Sequence, residues 1–292
     1  MASDFRPTPS GISTFETCQL QFKFFHVDKV IQPPGVARLY GTALHKVILE
    51  TDQKAKIESG QYRPLTELKE MLSDDIRTGI ATVPDNDEEI QRFQGREQTY
   101  VQYQKFGLST LEVYNQDRGV LSGRSVETPF EVPFADTTLH GRIDVDVSDT
   151  RHRDLKTKDL SKKGARRVTQ EQCDENVQVG AYAAAKAKLS GAQDQITDLV
   201  YACKASDASI QTFSTVRTAE DHKVLEEKVY LMHKVYDAGA FYPVARGHWV
   251  CSEKFCGVWP ADAPVSCPFG QRAQVTVGFA GGSPDAGSPA KK

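Results

Sequence analysis

The sequence predicts an α/β fold: a mixed β-sheet flanked by helices. Three observations carry that expectation. Adjacent segments SVETPFEVPFA (125–135) and TTLHGRIDVDVS (137–148) alternate apolar and polar residues with the period of two of half-buried strands. The Ala-rich stretch QEQCDENVQVGAYAAAKAKLS (170–190) is a strong helix former closed by Gly191. The mostly apolar QITDLVYACK (195–204) follows it and reads as a buried strand.

The remaining elements fit around these. RLYGTALHKVILETDQKAKIE (38–58) has helical apolar spacing, with Leu44, Val47 and Ile48 on or near one face. It closes a first region, residues 1–59. Residues 60–120 are polar and helix-biased, broken by ATVPDND, and read as a helical insertion. The region 121–239 then holds the two alternating strands, a shorter third one in HRDLKTK (152–158), the Ala-rich helix and the buried strand. SIQTFSTVRT (209–218) adds a further strand, and AEDHKVLEEKVYLMHKVYDAG (219–239) a long amphipathic helix. Residues 240–274 form a loop region containing Pro, Cys and Trp, and the Gly/Ser/Pro-rich 275–292 reads as a disordered tail. Helix, three strands, helix and strand in that order give a layered α/β arrangement.

At 292 residues, 39% apolar and 26% charged, the chain can bury a sizeable core. No apolar run approaches the roughly 18–20 residues of a membrane span. The opening MASDFRPTPSGISTF lacks a basic-then-apolar leader, so a cytoplasmic protein without a membrane role is expected. The net charge of -3 does not mark a nucleic-acid binder, but its distribution is uneven. Residues 151–167 hold eight Lys/Arg against two Asp, a footprint of phosphate contact or of a solvated basic loop. Six cysteines in a reducing compartment favour metal or cluster ligation over disulfides wherever they group.

The segment HGRIDVDVSDTRHRDLKTKD (140–159) sets five aspartates into strand sequence, although acids are poor strand formers and costly to bury. A turn near Asp149–Thr150 places Asp144 almost opposite Asp154, with Cβ atoms roughly 5 Å apart. Alternation puts Asp154 and Lys156 on one face. Two carboxylates that close repel unless a cation lies between them or one takes up a proton. A hard divalent ion such as Mg²⁺ suits such oxygen ligands. Asp146 shares the face of Asp144 and ranks second; a solvated hairpin is the alternative.

GRID followed by DLKT resembles the signature of the PD-(D/E)XK nucleases in their RecB-like form. GTALH (41–45) is similar to that family's G-x-x-x-H, and QVGAY (178–182) to its Q-x-x-x-Y. The resemblance implies a restriction-endonuclease-like core in which His45, Asp144, Asp154 and the Leu155 carbonyl hold one or two Mg²⁺ or Mn²⁺ ions. It makes Lys156 the group that orients or deprotonates water, or stabilises charge on phosphate. Gln178 and Tyr182, on one helix face, would position phosphate or the lysine, and Glu127 is a candidate supporting acid. Arg142, Lys158, Lys162, Lys163, Arg166 and Arg167 are candidate phosphate contacts.

Cys18 ahead of this core and Cys251, Cys256 and Cys267 behind it resemble the iron–sulfur staple of RecB-like nucleases, including AddB-type and CRISPR-associated relatives. Four thiolates match a [4Fe–4S] cluster in a C-terminal iron–sulfur region; a structural Zn²⁺ is the chemical alternative, and free buried cysteines are the third reading. Cys173 and Cys203 read as packing residues. The implied activity is metal-dependent DNA exonuclease action in processing, recombination or repair, as in phage enzymes. DNA is the implied partner, with a helicase, a recombinase or further copies of the chain as possible associates. Two rivals stand beside it: a nuclease-fold assembly module, and an iron–sulfur or zinc protein with a solvated hairpin.

Overall fold

A computed structural model describes residues 5–31, 33–205, 207–245, 247–252, 256 and 267. Helices α1 (Pro9–Thr17) and α2 (Gln19–Phe22) run into a π-helical turn, Lys23–Val27. Helix α3 (Val36–His45) continues through a π-helical segment, Lys46–Gln53, into α4 (Lys54–Ser59). The insertion supplies α5 (Leu65–Ala81), α6 (Glu88–Arg92), α7 (Arg96–Gln116) and a 3₁₀ turn, Arg118–Leu121. Strands β1 (Ser125–Phe134), β2 (Thr137–Ser148) and β3 (Arg151–Asp159) precede α8 (Gln170–Asp174) and α9 (Val177–Ser190). Strands β4 (Gln195–Lys204) and β5 (Ser209–Arg217) lead to α10 (Ala219–Ala238).

The five strands form one sheet in chain order, with β3 and β4 parallel and every other pair antiparallel. Helix α9 is the crossover that a parallel pair requires. The side chains form two cores, and on β2 the change from Ile143 to Val145 crosses from one to the other. Val145, Leu155, Val200 and Ala202 meet Leu44, Val47 and Ile48 of the α3 helix and Leu68, Leu72, Tyr103 and Leu111 of the insertion. The insertion thus shares its core with the sheet. On the opposite face Ile143 and Leu139 join Ile12, Ala181, Ala184 and Val229 from α1, α9 and α10.

Three local features depart from the sequence expectations. The helix expected over 170–190 is broken at Glu175–Asn176, because the Asn176 side chain accepts from Val179 N and starts α9 afresh. The helix expected over 38–58 is continuous, but its middle is π-helical. Finally, the acidic hairpin is irregular. Ser148 faces Arg151, but beyond a shift at Val147 the pairs are Asp146 with His152 and Val145 with Arg153, where the ladder ends. Strands β2 and β3 part at that point, one residue short of Asp144 and Asp154.

Candidate active site

The parting of β2 and β3 creates the site. Leu155 N, released from the ladder, donates to Asp144 Oδ2 at 2.8 Å. Asp154 and Lys156 share a face as expected, with the Lys156 ammonium 3.0 Å from both Asp154 oxygens. Asp154 is buried, and its Oδ2 accepts no well-aligned hydrogen bond.

His45 arrives from α3. A Cβ on Gly41 would meet Thr157 Oγ1 at 3.2 Å, so glycine is what lets this helix lie close to β3. Four residues on, His45 Nε2 donates to the Leu155 carbonyl at 2.5 Å. In the neutral ring this leaves the lone pair on Nδ1, which lies 3.8 Å from Asp144 Oδ2 and 3.9 Å from Glu127 Oε1. The Leu155 carbonyl, expected as a metal ligand, accepts from the imidazole here.

Glu127 reaches the group from a break in the ladder. Val126 pairs with Val145 and Thr128 with Ile143 in one register, but Glu127 and the facing Asp144 are left unpaired, and Glu127 takes a left-handed backbone, φ 51°. Donor atoms of His45, Glu127 and Asp144 all lie within 4.8 Å of one another.

The electrostatics are those of a site short of positive charge. Burial, then the neighbouring Asp154, raise the Asp144 carboxyl to about 7. Burial would lower the His45 imidazole, but Glu127, Asp144, Asp154 and the Leu155 carbonyl outweigh it and hold the ring above its ordinary value. Burial likewise opposes the Lys156 charge, yet Asp154 and Asp144 keep the ammonium well above the ordinary lysine range. Lys156 is therefore a cation among these acids and poorly suited to accept a proton. Imidazole nitrogen and carboxylate oxygens form a donor set that divalent cations accept, and one cation would relieve the repulsion between Asp144 and Asp154. The residues fit a metal.

The group opens into a cleft of ≈ 770 Å³. Gln178 and Tyr182 line it, with Gln178 Nε2 donating to Tyr182 Oη at 3.4 Å. Burial, then Asp154, push the Tyr182 hydroxyl up to about 12, so it stays protonated. Arg142 lies in the cleft with its Nε 2.8 Å from Glu127 Oε2. Lys162 is turned away, paired with Glu88 at 3.0 Å and Glu89 at 2.5 Å of the insertion. Lys163, Arg166 and Arg167 are exposed on the same loop, and Lys158 is half-buried on β3. Arg38 also lines the cleft. It stands seven residues, two helical turns, before His45, a spacing that could have nominated it from sequence.

A family model for the PD-(D/E)XK nuclease superfamily matches residues 6–261. The chain belongs to the PD-(D/E)XK nuclease superfamily. A solved structure from Eubacterium rectale, named "Putative exonuclease", superposes with a TM-score of 0.56 at 10% identity over 93% of each chain, a likeness of fold. No curated protein matches the sequence. As a PD-(D/E)XK nuclease the chain is a hydrolase of nucleic-acid phosphodiesters, and nucleases of this superfamily usually employ divalent metals. Among the described residues no helix is long and apolar enough to cross a membrane.

Of the cysteines, Cys173 and Cys203 are fully buried, in keeping with packing roles. Cys18 is buried at the junction of α1 and α2, while Cys256 and Cys267 pack with Phe24. Burial, then Cys18 and Cys267, raise the Cys251 thiol.

Proposed function

We propose that this nuclease is a divalent-metal-dependent deoxyribonuclease of the RecB-like kind, acting as an exonuclease. The observation that carries the reading is the grouping of His45, Glu127 and Asp144 in an open cleft, beside a charged Lys156 that pairs with the buried Asp154. His45, Asp144 and Asp154 would hold Mg²⁺ or Mn²⁺, which supplies an activated water and positive charge to the phosphorane-like transition state. Lys156, kept protonated by its acids, stabilises charge developing on phosphate instead of taking the proton of water. Gln178 and Tyr182 fix the lysine side of the site, and Lys158, Lys163, Arg166 and Arg167 would follow the DNA backbone.

The decisive assay uses 5′- and 3′-labelled single- and double-stranded DNA with and without Mg²⁺ or Mn²⁺. Cleavage that needs the metal and is lost in Asp154→Ala and Lys156→Ala is expected. Undiminished cleavage by either variant rejects the reading.

A [4Fe–4S] cluster on Cys18, Cys251, Cys256 and Cys267 belongs to the same proposal. Its support is the nearness of Cys18 and Cys267 to Cys251, whose thiol they help raise, and the shared packing of Cys256 with Cys267. Such a cluster would tie residue 18 to the chain's far end and lower the entropy of the unfolded state. Anaerobically prepared protein should be coloured and contain iron; a colourless, iron-free but zinc-loaded protein assigns the thiolates to zinc instead.

A further inference from the structure

Glu127 combines three features, and the proposed metal set of His45, Asp144 and Asp154 gives it no role. Its backbone is left-handed, which is unfavourable for a residue with a Cβ and persists only where surroundings enforce it. Its carboxylate is largely buried, at 15% side-chain exposure, beside His45 Nδ1 and Asp144. Its other oxygen is bonded to Arg142, an exposed cation on β2 two residues before Asp144.

A surface ion pair alone does not require a strained strand, since a regular strand presents side chains on either face. At this left-handed, unpaired position the carboxylate lies against an imidazole nitrogen and a second carboxylate. These are donors that attract a cation, and Arg142 now supplies one from the solvent side. Asp146 is neutralised by Lys186 and Asp198 by Arg153, cations at 3% and 19% side-chain exposure. The Arg142 side chain is 59% exposed in the cleft, free to swing to another anion.

We infer that Glu127 is a further metal ligand on the His45 side of the site, and that Arg142 is its exchangeable counter-ion, released toward substrate phosphate when the metal binds. This rests on the proposed metal-dependent nuclease reading and adds a coupling to it. Metal and Arg142 compete for one carboxylate, whereas metal and DNA cooperate through the arginine so freed. Linkage makes that cooperation reciprocal.

The test measures Mn²⁺ affinity by calorimetry and by electron paramagnetic resonance of bound Mn²⁺, without DNA. DNA binding is measured separately with Ca²⁺ in place of Mg²⁺. Glu127→Gln should weaken Mn²⁺ binding by about tenfold or more, within the range that lost metal-site partners cost. Arg142→Gln should tighten Mn²⁺ binding in the absence of DNA while weakening DNA binding. A merely structural ion pair predicts the opposite for Arg142→Gln, a looser or unchanged metal site, and that result overturns the proposal. Unchanged Mn²⁺ affinity in Glu127→Gln also overturns it. If Glu127→Gln fails to fold, the direction of the Arg142→Gln effect decides alone. Wild-type protein that binds Mn²⁺ but cleaves no DNA counts against the nuclease reading, and the two affinities still decide the role of Glu127.

Discussion

Asp144 and Asp146 stand two residues apart on β2, but the alternation expected to put them on one face is broken: Asp144 meets His45 of α3, and Asp146 meets Lys186 of α9. Asp146 accepts from Lys186 Nζ at 2.6 Å and Arg124 Nε at 3.0 Å, and nearby β4 treats Asp198 alike, with Arg151, Arg153 and Ser214 on its oxygens. For Asp198 burial is overcome by these partners and the carboxyl sits below its ordinary range. Asp144 has one backbone amide and a histidine, sits near Asp154, and is pushed up to about 7. Where the fold supplies its own cations, a buried acid is structural. Where it withholds them, the acid awaits a ligand.

That contrast can be broken experimentally. The largest effect is expected at the cation-poor pair. Asp154→Ala or Lys156→Ala should lower DNA cleavage by about 10³-fold, the scale of losing one preorganised transition-state contact. Asp154→Ala, which removes a buried carboxylate close to Asp144, should change stability little by comparison, which chemical denaturation can measure.

The cation-rich acid predicts the reverse. Asp146→Ala leaves Lys186, 3% exposed, without its partner and should destabilise the protein by about 3–5 kcal/mol. The fraction still folded should retain metal-dependent cleavage. A variant as stable as wild type but inactive would place Asp146 in the site and erase the distinction.

His152 sharpens the comparison through pH. It is buried beside Asp146 and Lys186, its Nε2 lies 2.9 Å from Thr197 Oγ1, and burial, then Lys186, lower its pKa to about 4. In the unfolded chain it titrates near 6.5. The fold therefore binds it neutral, and this contribution is complete above pH 6.5 and lost as pH falls toward 4. The loss should reach about 3 kcal/mol at 1.36 kcal/mol per unit. Denaturation midpoints between pH 7 and 4 check this, with His152→Gln expected to flatten the slope.

The smallest effect is thermal. Mn²⁺ at about 100 times its dissociation constant should add about 2.7 kcal/mol and raise the melting temperature by about 4 °C. Asp144→Asn should abolish that rise, while Asp146→Asn should keep it.

How much of this was legible in the sequence varied with the kind of information needed. The five strands and the main helices were readable because burial of one face imposes periodicity on neighbouring residues. Asp154 and Lys156 were readable as a pair for the same reason, since residues two apart share a strand face. His45 was nominated through GTALH, although its partner Leu155 lies 110 residues away. Glu127 was only a candidate, because alternation along a strand gives no warning of a left-handed residue. The engagement of Lys162 by Glu88 and Glu89 was hidden as well, since it depends on where the insertion docks.

The sequence by itself determined the order of elements, the membership of the acidic hairpin and the motif residues. These depend on local periodicity and on chemistry carried by single side chains. Only the tertiary structure decided which acids keep their charge uncompensated. That depends on Lys186 and Arg124 reaching Asp146 while the parted strands leave Asp144 and Asp154 with too few cations. Electrostatic energy follows distance in space, and spacing along the chain does not encode it.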